Sequence, residues 1–438
     1  MARFIVLMLL SSLLLAACGG EDAGETHAGE VGPGRLQVLD WPLPGAEPGT
    51  SAPDLAVTAD GRVLLSWLDS QPGRRHLFRF SAWNPALERW QHAPANIAIG
   101  SRMFVNWADT PHIMASLDGA IWAHWLQKSG TANDYGIALV RSRDGANWSA
   151  PLVPHAGGTG TEHGFASMWP HGTDLLGIAW LDGRSTGGDH DAHDGHETGA
   201  DEAGTDQTRA HGSSTLRAAL VDPALRLVQE AVIDTRVCEC CQTTVALTSR
   251  GPLLFYRGRS PDEVRDVLVS RLEGNVWTAP RRIHADGGVM SACPVNGPSA
   301  QGHGHNVVAA WYTEAGGEPQ VRLVHSADAG DSFGEPLVLD SGAEVHGRVA
   351  VALDSHQAGA LWLREDGDGQ SLWYARFAPD LSHEIERIRL AGLAGRGRGT
   401  GFPRLVFPQG VAHAVWPDVI DGRPQLSGVR LVAGPAEG

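Results

Sequence analysis

Past residue 30 the chain has no stretch with the 3.6-residue apolar spacing of an amphipathic helix, which excludes a helical bundle and a helical solenoid. It is also short of positive charge. Lys and Arg number 34 against 50 Asp and Glu, a formal charge of −16. So acidic a surface repels phosphate backbones and excludes nucleic acid as a partner. Long apolar runs are scarce too. The one candidate, residues 4–15 (FIVLMLLSSLLL), is too short to span a bilayer comfortably but suits the apolar core of a signal peptide. What is plentiful is glycine (55), proline (26) and tryptophan (15). Gly and Pro supply turn geometries that other residues resist, so this composition predicts many turns between short strands. The 438 residues, 42% of them hydrophobic, are ample for a large buried core.

The N-terminus sets the expected compartment. Arg3 precedes the apolar run, and Leu15-Ala16-Ala17-Cys18 follows it. This segment resembles a bacterial lipobox, which implies a signal peptide at 1–17 and a lipidated Cys18; an ordinary cleaved signal peptide is the alternative. Residues 18–34 are polar and Gly-rich and read as a flexible tether. Gly19 rather than Asp follows the cysteine, and by resemblance to bacterial lipoproteins this favours an outer-membrane anchor facing the periplasm. The expected partner is therefore the membrane, through Cys18, for a monomeric domain at 35–438.

One pattern recurs seven times: a short apolar run that ends in an aromatic and then a polar residue. The copies are VLLSWLD, AIWAHWLQK, LLGIAWLDGR, LLFYRGR, NVVAAWYTE, AGALWLRE and VAHAVWPD, anchored by Trp67, Trp125, Trp180, Tyr256, Trp311, Trp362 and Trp416. The spacings are 58, 55, 76, 55, 51 and 54. The longest holds an acidic, His-rich insert at 187–212. Each period divides into four strand-like segments, in the second copy HIMASLDG, AIWAHWLQK, YGIALVRSRDG and WSAPLVPH. A period near 54 with four strands is the signature of a propeller blade. The expected fold is an all-β propeller of seven four-stranded antiparallel blades, with six as the alternative. The seventh copy supplies only three strands, so residues 35–41 are expected to pair near 426–432 and close the ring.

Residues 326–333 read Ser-Ala-Asp-Ala-Gly-Asp-Ser-Phe. Weaker copies run from Ser142 through Asp144 and Gly145 to Trp148, and from Ser270 through Gly274 to Trp277, the last without the Asp. All three fall at the turn from a third to a fourth strand. The chain thus resembles the sialidase-like, Asp-box (BNR-repeat) propellers, often labelled exo-alpha-sialidase. In that family the boxes are structural. For a working sialidase the resemblance implies three arginines clamping a substrate carboxylate, a Tyr–Glu nucleophile pair and an Asp acid. No Arg-Ile-Pro segment is present, and only four tyrosines are available.

Propeller topology puts the loop leading into each blade, and the turn after its second strand, at one mouth of the central channel. Candidate catalytic groups there are Asp109, Arg184, Arg257, Arg259, Glu263 and Arg348. Candidate binding groups are Asn106, Trp107, His163, Asp182 and Asn296, which suit sugar hydroxyls and ring faces. The cysteines stand apart. Cys238, Cys240 and Cys241 lead into the fourth blade and Cys293 into the fifth, so they should meet across one boundary. Two disulfides are one reading, with Cys238–Cys293 plus a vicinal Cys240–Cys241 bridge among three possible pairings. A thiolate site for copper or zinc is the other. The 187–212 insert adds His190, His193 and His196 as metal-collecting groups, or is simply a solvated loop. Three functions follow: a cell-envelope propeller binding a ligand or metal at the cysteine-bearing mouth, a sialidase-like glycoside hydrolase, or a scaffold for envelope assembly.

Overall fold

The computed structural model describes residues 35–71, 75–130, 134–155, 161–186 and 213–434. Cys18, the signal and tether segments, and the insert with His190, His193 and His196 lie outside them.

Seven antiparallel sheets follow one another along the chain. Their innermost strands are Thr50–Val57, His112–Ala115, His163–His171, Thr244–Thr248, Ser299–His303, Val345–Leu353 and Arg404–Val406. Each touches the next, and the last touches the first, so the sheets stand radially as blades 1 to 7 of a closed propeller. The second strands, such as Leu175–Asp182, are buried almost throughout. Both of their faces pack on neighbouring blades, which is why they read as continuous apolar runs rather than alternating ones. Outer strands such as Leu227–Asp234 alternate half-buried and exposed positions, as sheet edges facing water should.

The seven anchor aromatics explain the repeat. Each is buried in a separate apolar cluster shared with the preceding blade. Trp125 packs with Phe78 and Phe80 of blade 1, and Trp180 with Trp122 and Leu139 of blade 2. Trp67 packs with Val415 and Leu426 of blade 7, across the closure. Truncating such a side chain to alanine costs about 3–5 kcal/mol, so each boundary is held mainly by one large ring and its neighbours.

Ring closure follows the expectation. Leu36–Asp40 pairs antiparallel with Arg423–Ala433, in register from Leu36↔Ala433 to Asp40↔Val429. Blade 7 thus becomes four-stranded and its outer edge is covered. One expected strand is corrected. In blade 2 the segment 148–155 forms only the isolated bridges Ser142↔Trp148 and Leu139↔Leu152. Pro151 and Pro154 lack the N–H that a ladder needs, leaving room for a single reciprocal pair between Leu139 and Leu152, both bonds 2.8 Å.

The three boxes occupy the same place in blades 2, 4 and 5. Asp328 accepts from the Ser332 N–H at 2.9 Å, while the Ser326 hydroxyl accepts from the Gly330 N–H at 2.8 Å. Asp144 likewise accepts from the N–H groups of Ala146 and Asn147, at 2.9 and 2.7 Å. The closing aromatics reach the preceding blade edge-on: Trp148 on Phe80, Trp277 on Trp169 and Phe333 on Phe255, centroids 5.9, 5.8 and 6.0 Å apart.

Candidate functional site

At the mouth, neighbouring blades are tied by side chains of lead-in loops and innermost strands that bond the backbone of the next blade. Asp54 of blade 1 accepts from the Ile113 N–H of blade 2 at 2.9 Å. Asp109 accepts from Phe165 of blade 3 at 2.8 Å. Asn296 accepts from Arg348 of blade 6 at 2.7 Å. Phe165 and Arg348 have φ of 49° and 50°, left-handed values costly for bulky residues. Both residues sit at bulges near the mouth ends of their innermost strands, and each accepted N–H helps hold that bulge. Gln242 reaches farthest. It donates to the Ala108 carbonyl at 3.0 Å and accepts from the Gly297 N–H at 2.9 Å, linking the loops of blades 2, 4 and 5.

The cysteines sit at the root of this bridge. The sulfurs of Cys238, Cys240, Cys241 and Cys293 all lie within 4.8 Å of one another. They pair as Cys238–Cys241, with Cα atoms 5.8 Å apart, and Cys240–Cys293, at 6.3 Å. Of the three possible pairings this is a different one from the Cys238–Cys293 plus Cys240–Cys241 example named above. Bonding Cys238 to Cys241 uses a turn of ordinary span and avoids the constrained ring of a vicinal bridge, and both Cα separations are normal for disulfides. Cys238 and Cys241 are buried, whereas Cys240 and Cys293 are partly exposed. The Cys238 sulfur also lies 3.8 Å from that of Cys293, so the two bridges are in contact.

A charged frame surrounds the sulfurs. Arg265 is buried, and one Nη points at the Cys238 sulfur at 3.4 Å while Nε donates to the Met290 carbonyl at 2.9 Å. Its other Nη meets Glu263 at 2.9 Å. Arg259 pairs with Glu263 and Glu239. The two cations and two carboxylates nearly cancel, and among the described residues the charged donor aimed at sulfur is Arg265.

The remaining candidates are placed individually. Arg257 is buried and donates only to backbone carbonyls, those of Asn296, Arg265 and Tyr312, at 2.7–3.1 Å. Burial pulls its pKa down to about 10, and Asp286 partly offsets this. Arg348 donates to Thr400 and the Gly401 carbonyl at 2.9 and 3.1 Å. Its guanidinium lies 4.9 Å from the Trp107 ring, which stacks on Phe402 at 5.8 Å. Arg184 grips Asp182 with two 2.7 Å bonds. Burial opposes ionisation of Asp182, but bonds from His163, Arg184 and Trp180 outweigh it and hold the carboxyl well below the usual range. His163 bonds Thr161 at 3.0 Å and stacks on His155 at 3.9 Å. Asn106 caps its own loop, accepting from Ala108 and Asp109, and Asn296 spends its amide on the backbone. Asp109 is buried. Desolvation, aided by the nearby Glu162 and opposed by the Phe165 N–H, pushes its pKa up to about 7.

A Tyr–Glu pair is present, Tyr312 donating to Glu314 at 2.5 Å, while all four candidate arginines already bond protein groups. The structure therefore unites the cysteines with Arg259 and Glu263 at one corner of the mouth. Trp107 and Arg348 form a second group, and His163, Asp182 and Arg184 a third. Sequence reasoning missed Glu239, Gln242 and Arg265. Gln242 could have been found from its position beside Cys241. Arg265 had no signal, because it lies just before the strand Val267–Glu273 and only the path of that turn, its N–H bonded to the Gly288 carbonyl at 3.0 Å, brings it to the sulfurs.

No family model matches the chain, and no curated protein does. Among solved structures, a Dyadobacter fermentans protein of unknown function is 12% identical, covering 91% of this chain and 99% of its own, with a TM-score of 0.47. The phage phi92 endosialidase is 10% identical over 93% and 70% of the two chains, TM-score 0.47. A Fusarium graminearum GH93 α-L-arabinofuranosidase is 11% identical over 91% and 96%, TM-score 0.43. The likeness is one of fold, to sialidase-like and glycoside-hydrolase propellers.

Proposed function

We propose that the protein is an envelope-anchored propeller, held through Cys18, whose mouth binds a soft metal ion, copper(I) or zinc(II), when the four cysteines are reduced. The observation that carries this is the convergence of four sulfurs from two lead-in loops within 4.8 Å. Thiolates about 2.3 Å from a common ion sit about 3.8 Å apart at the corners of a tetrahedron, and the Cys238 and Cys293 sulfurs are 3.8 Å apart. Soft ligands favour copper(I) and zinc(II) over harder ions. Arg265 would compensate part of the thiolate charge. The His-rich insert belongs to this reading as a collecting loop, since in sequence it follows soon after Asp182, where the second strand of the neighbouring blade ends. The glycan-active reading rests on fold alone, and a fold hosts many chemistries.

The test is equilibrium dialysis of the full chain, oxidised and anaerobically reduced with a phosphine, against zinc(II) and against copper(I). The reduced protein should retain about one ion per chain, and the oxidised protein none at the cysteines. Cys293→Ser should weaken retention at least tenfold. Failure of the reduced protein to retain either ion overturns the proposal.

A further inference from the structure

We infer that the two bridges form one thiol–disulfide exchange unit, in which an external thiol is oxidised at the exposed bridge and the opening is passed to the buried one. This goes beyond metal binding and holds whether or not the reduced cluster takes an ion.

Three observations converge. Cys240–Cys293 is partly exposed and Cys238–Cys241 buried, so a thiolate from solvent reaches the first and not the second. The Cys293 sulfur is 3.8 Å from that of Cys238, near van der Waals contact for two sulfurs. The buried Arg265 directs a donor at Cys238 at 3.4 Å, which draws electron density from that sulfur and makes it the better target for the Cys293 thiolate.

The sequence of steps balances. A monothiol, as thiolate, attacks the Cys240 sulfur. The Cys240–Cys293 bond breaks, a mixed disulfide forms on Cys240, and its electron pair leaves on Cys293. The Cys293 thiolate then attacks Cys238. A Cys238–Cys293 bond forms, Cys238–Cys241 breaks, and Cys241 takes a proton from solvent. A second monothiol resolves the mixed disulfide, releasing the oxidised external disulfide and leaving Cys240 as a thiol. Two external thiols are oxidised by two electrons. The protein is reduced by two, keeping one bridge, Cys238–Cys293, with Cys240 and Cys241 free.

The unit therefore has a signature that two independent staples lack. Oxidised full-length protein is titrated with free cysteine as the monothiol, quenched with an alkylating reagent and mapped by peptide mass. The singly reduced species should carry label on Cys240 and Cys241, with Cys238 joined to Cys293. Label on Cys240 and Cys293 with Cys238–Cys241 intact overturns the proposal, as does reduction that passes straight to four thiols. A variant needing no reductant gives the second reading. In oxidised Cys241→Ser, the Cys238 thiol should attack Cys293 and place the single free thiol mostly on Cys240; a free thiol that stays on Cys238 overturns the exchange.

Discussion

The two faces of the ring are built from the same repeat, but the N–H groups of their turns are satisfied differently, although Arg271 of blade 4 does reach the Ala329 carbonyl and Asp331 of the blade-5 box at 2.6 and 2.9 Å. On the box face, Asp328 and Ser326 satisfy N–H groups two to four residues away within one turn. On the mouth face, Asp54, Asp109 and Asn296 satisfy N–H groups 59, 56 and 52 residues away, in the next blade. The N–H bonds inside a box need only their own turn, whereas those at the mouth need the neighbouring blade. Function on such a scaffold falls naturally on the mouth, where side chains from several blades converge and where loops hold conformations, such as φ of 50° at Arg348, that only the assembled ring supports.

The sharpest way to break this contrast is to remove a mouth tie and ask whether the whole ring weakens. Arg257→Met keeps much of the volume but deletes donors to three carbonyls spanning blades 4 and 5. Leaving buried acceptors unpaired costs about 1–3 kcal/mol each, and these are charge-assisted bonds. A loss of roughly 3–5 kcal/mol is expected, read as an earlier midpoint in urea unfolding with the slope unchanged. A loss below about 1 kcal/mol would show that blade packing alone holds the boundary.

A subtler way is through pH, at Asp109. Its folded pKa, about 7, stands above the ordinary carboxyl value of 3.8 because burial disfavours the charge. The folded state thus binds the proton more tightly than the unfolded state. Stability from the neutral carboxyl is complete below about 4, and it falls as pH rises through 7. Asp109→Asn keeps the carbonyl that accepts the Phe165 N–H and carries no charge to bury. The variant should gain on wild type as pH rises from about 4 to 8, by on the order of 2–4 kcal/mol. His155 runs the other way. Burial, with the charge of His163, depresses its pKa to about 3, so its contribution is lost as pH falls from the usual 6.5 toward 3. A wild-type minus variant difference that is flat across pH would remove Asp109 as a charged tie of the mouth.

The same contrast decides what was legible in the sequence. The aromatic anchors were readable because each closes a local apolar run. The boxes were readable because their bonds are local, and the closing strand at 36–40 because a blade one strand short demands a partner. Cys238, Cys240, Cys241 and Cys293 could be placed together from topology, yet their pairing could not, since it depends on loop paths that Gln242 and Arg265 help set. Arg257 reads as a channel cation in sequence and is a carbonyl clamp in the fold. Nothing local separates those roles, because its acceptors lie up to 55 residues away. Pro151 and Pro154 were visible, and their veto on a fourth strand in blade 2 was the local signal passed over in favour of the period.

The smallest expected effect lies on the box face. Burial raises the pKa of Asp328, but bonds from the Ser332 hydroxyl and N–H and from Ser326 outweigh it and hold the carboxyl at about 2, against 3.8. This acid is depressed in the fold, so the stability it adds is present above 3.8 and is lost as pH falls toward about 2. The carboxylate is largely solvated, and water screens most of that advantage. Its contribution is that of an exposed cap, about 0.5–1 kcal/mol. Asp328→Ala should therefore lower the thermal midpoint by only a degree or two at pH 7, and the difference from wild type should vanish near pH 2. The turn should also remain closed, because Ser326 still accepts from Gly330 and Phe333 still packs on Phe255. A loss as large as that of Arg257→Met would mean that the box turns, like the mouth, hold the ring together, and the distinction between locally and remotely tied faces would fall.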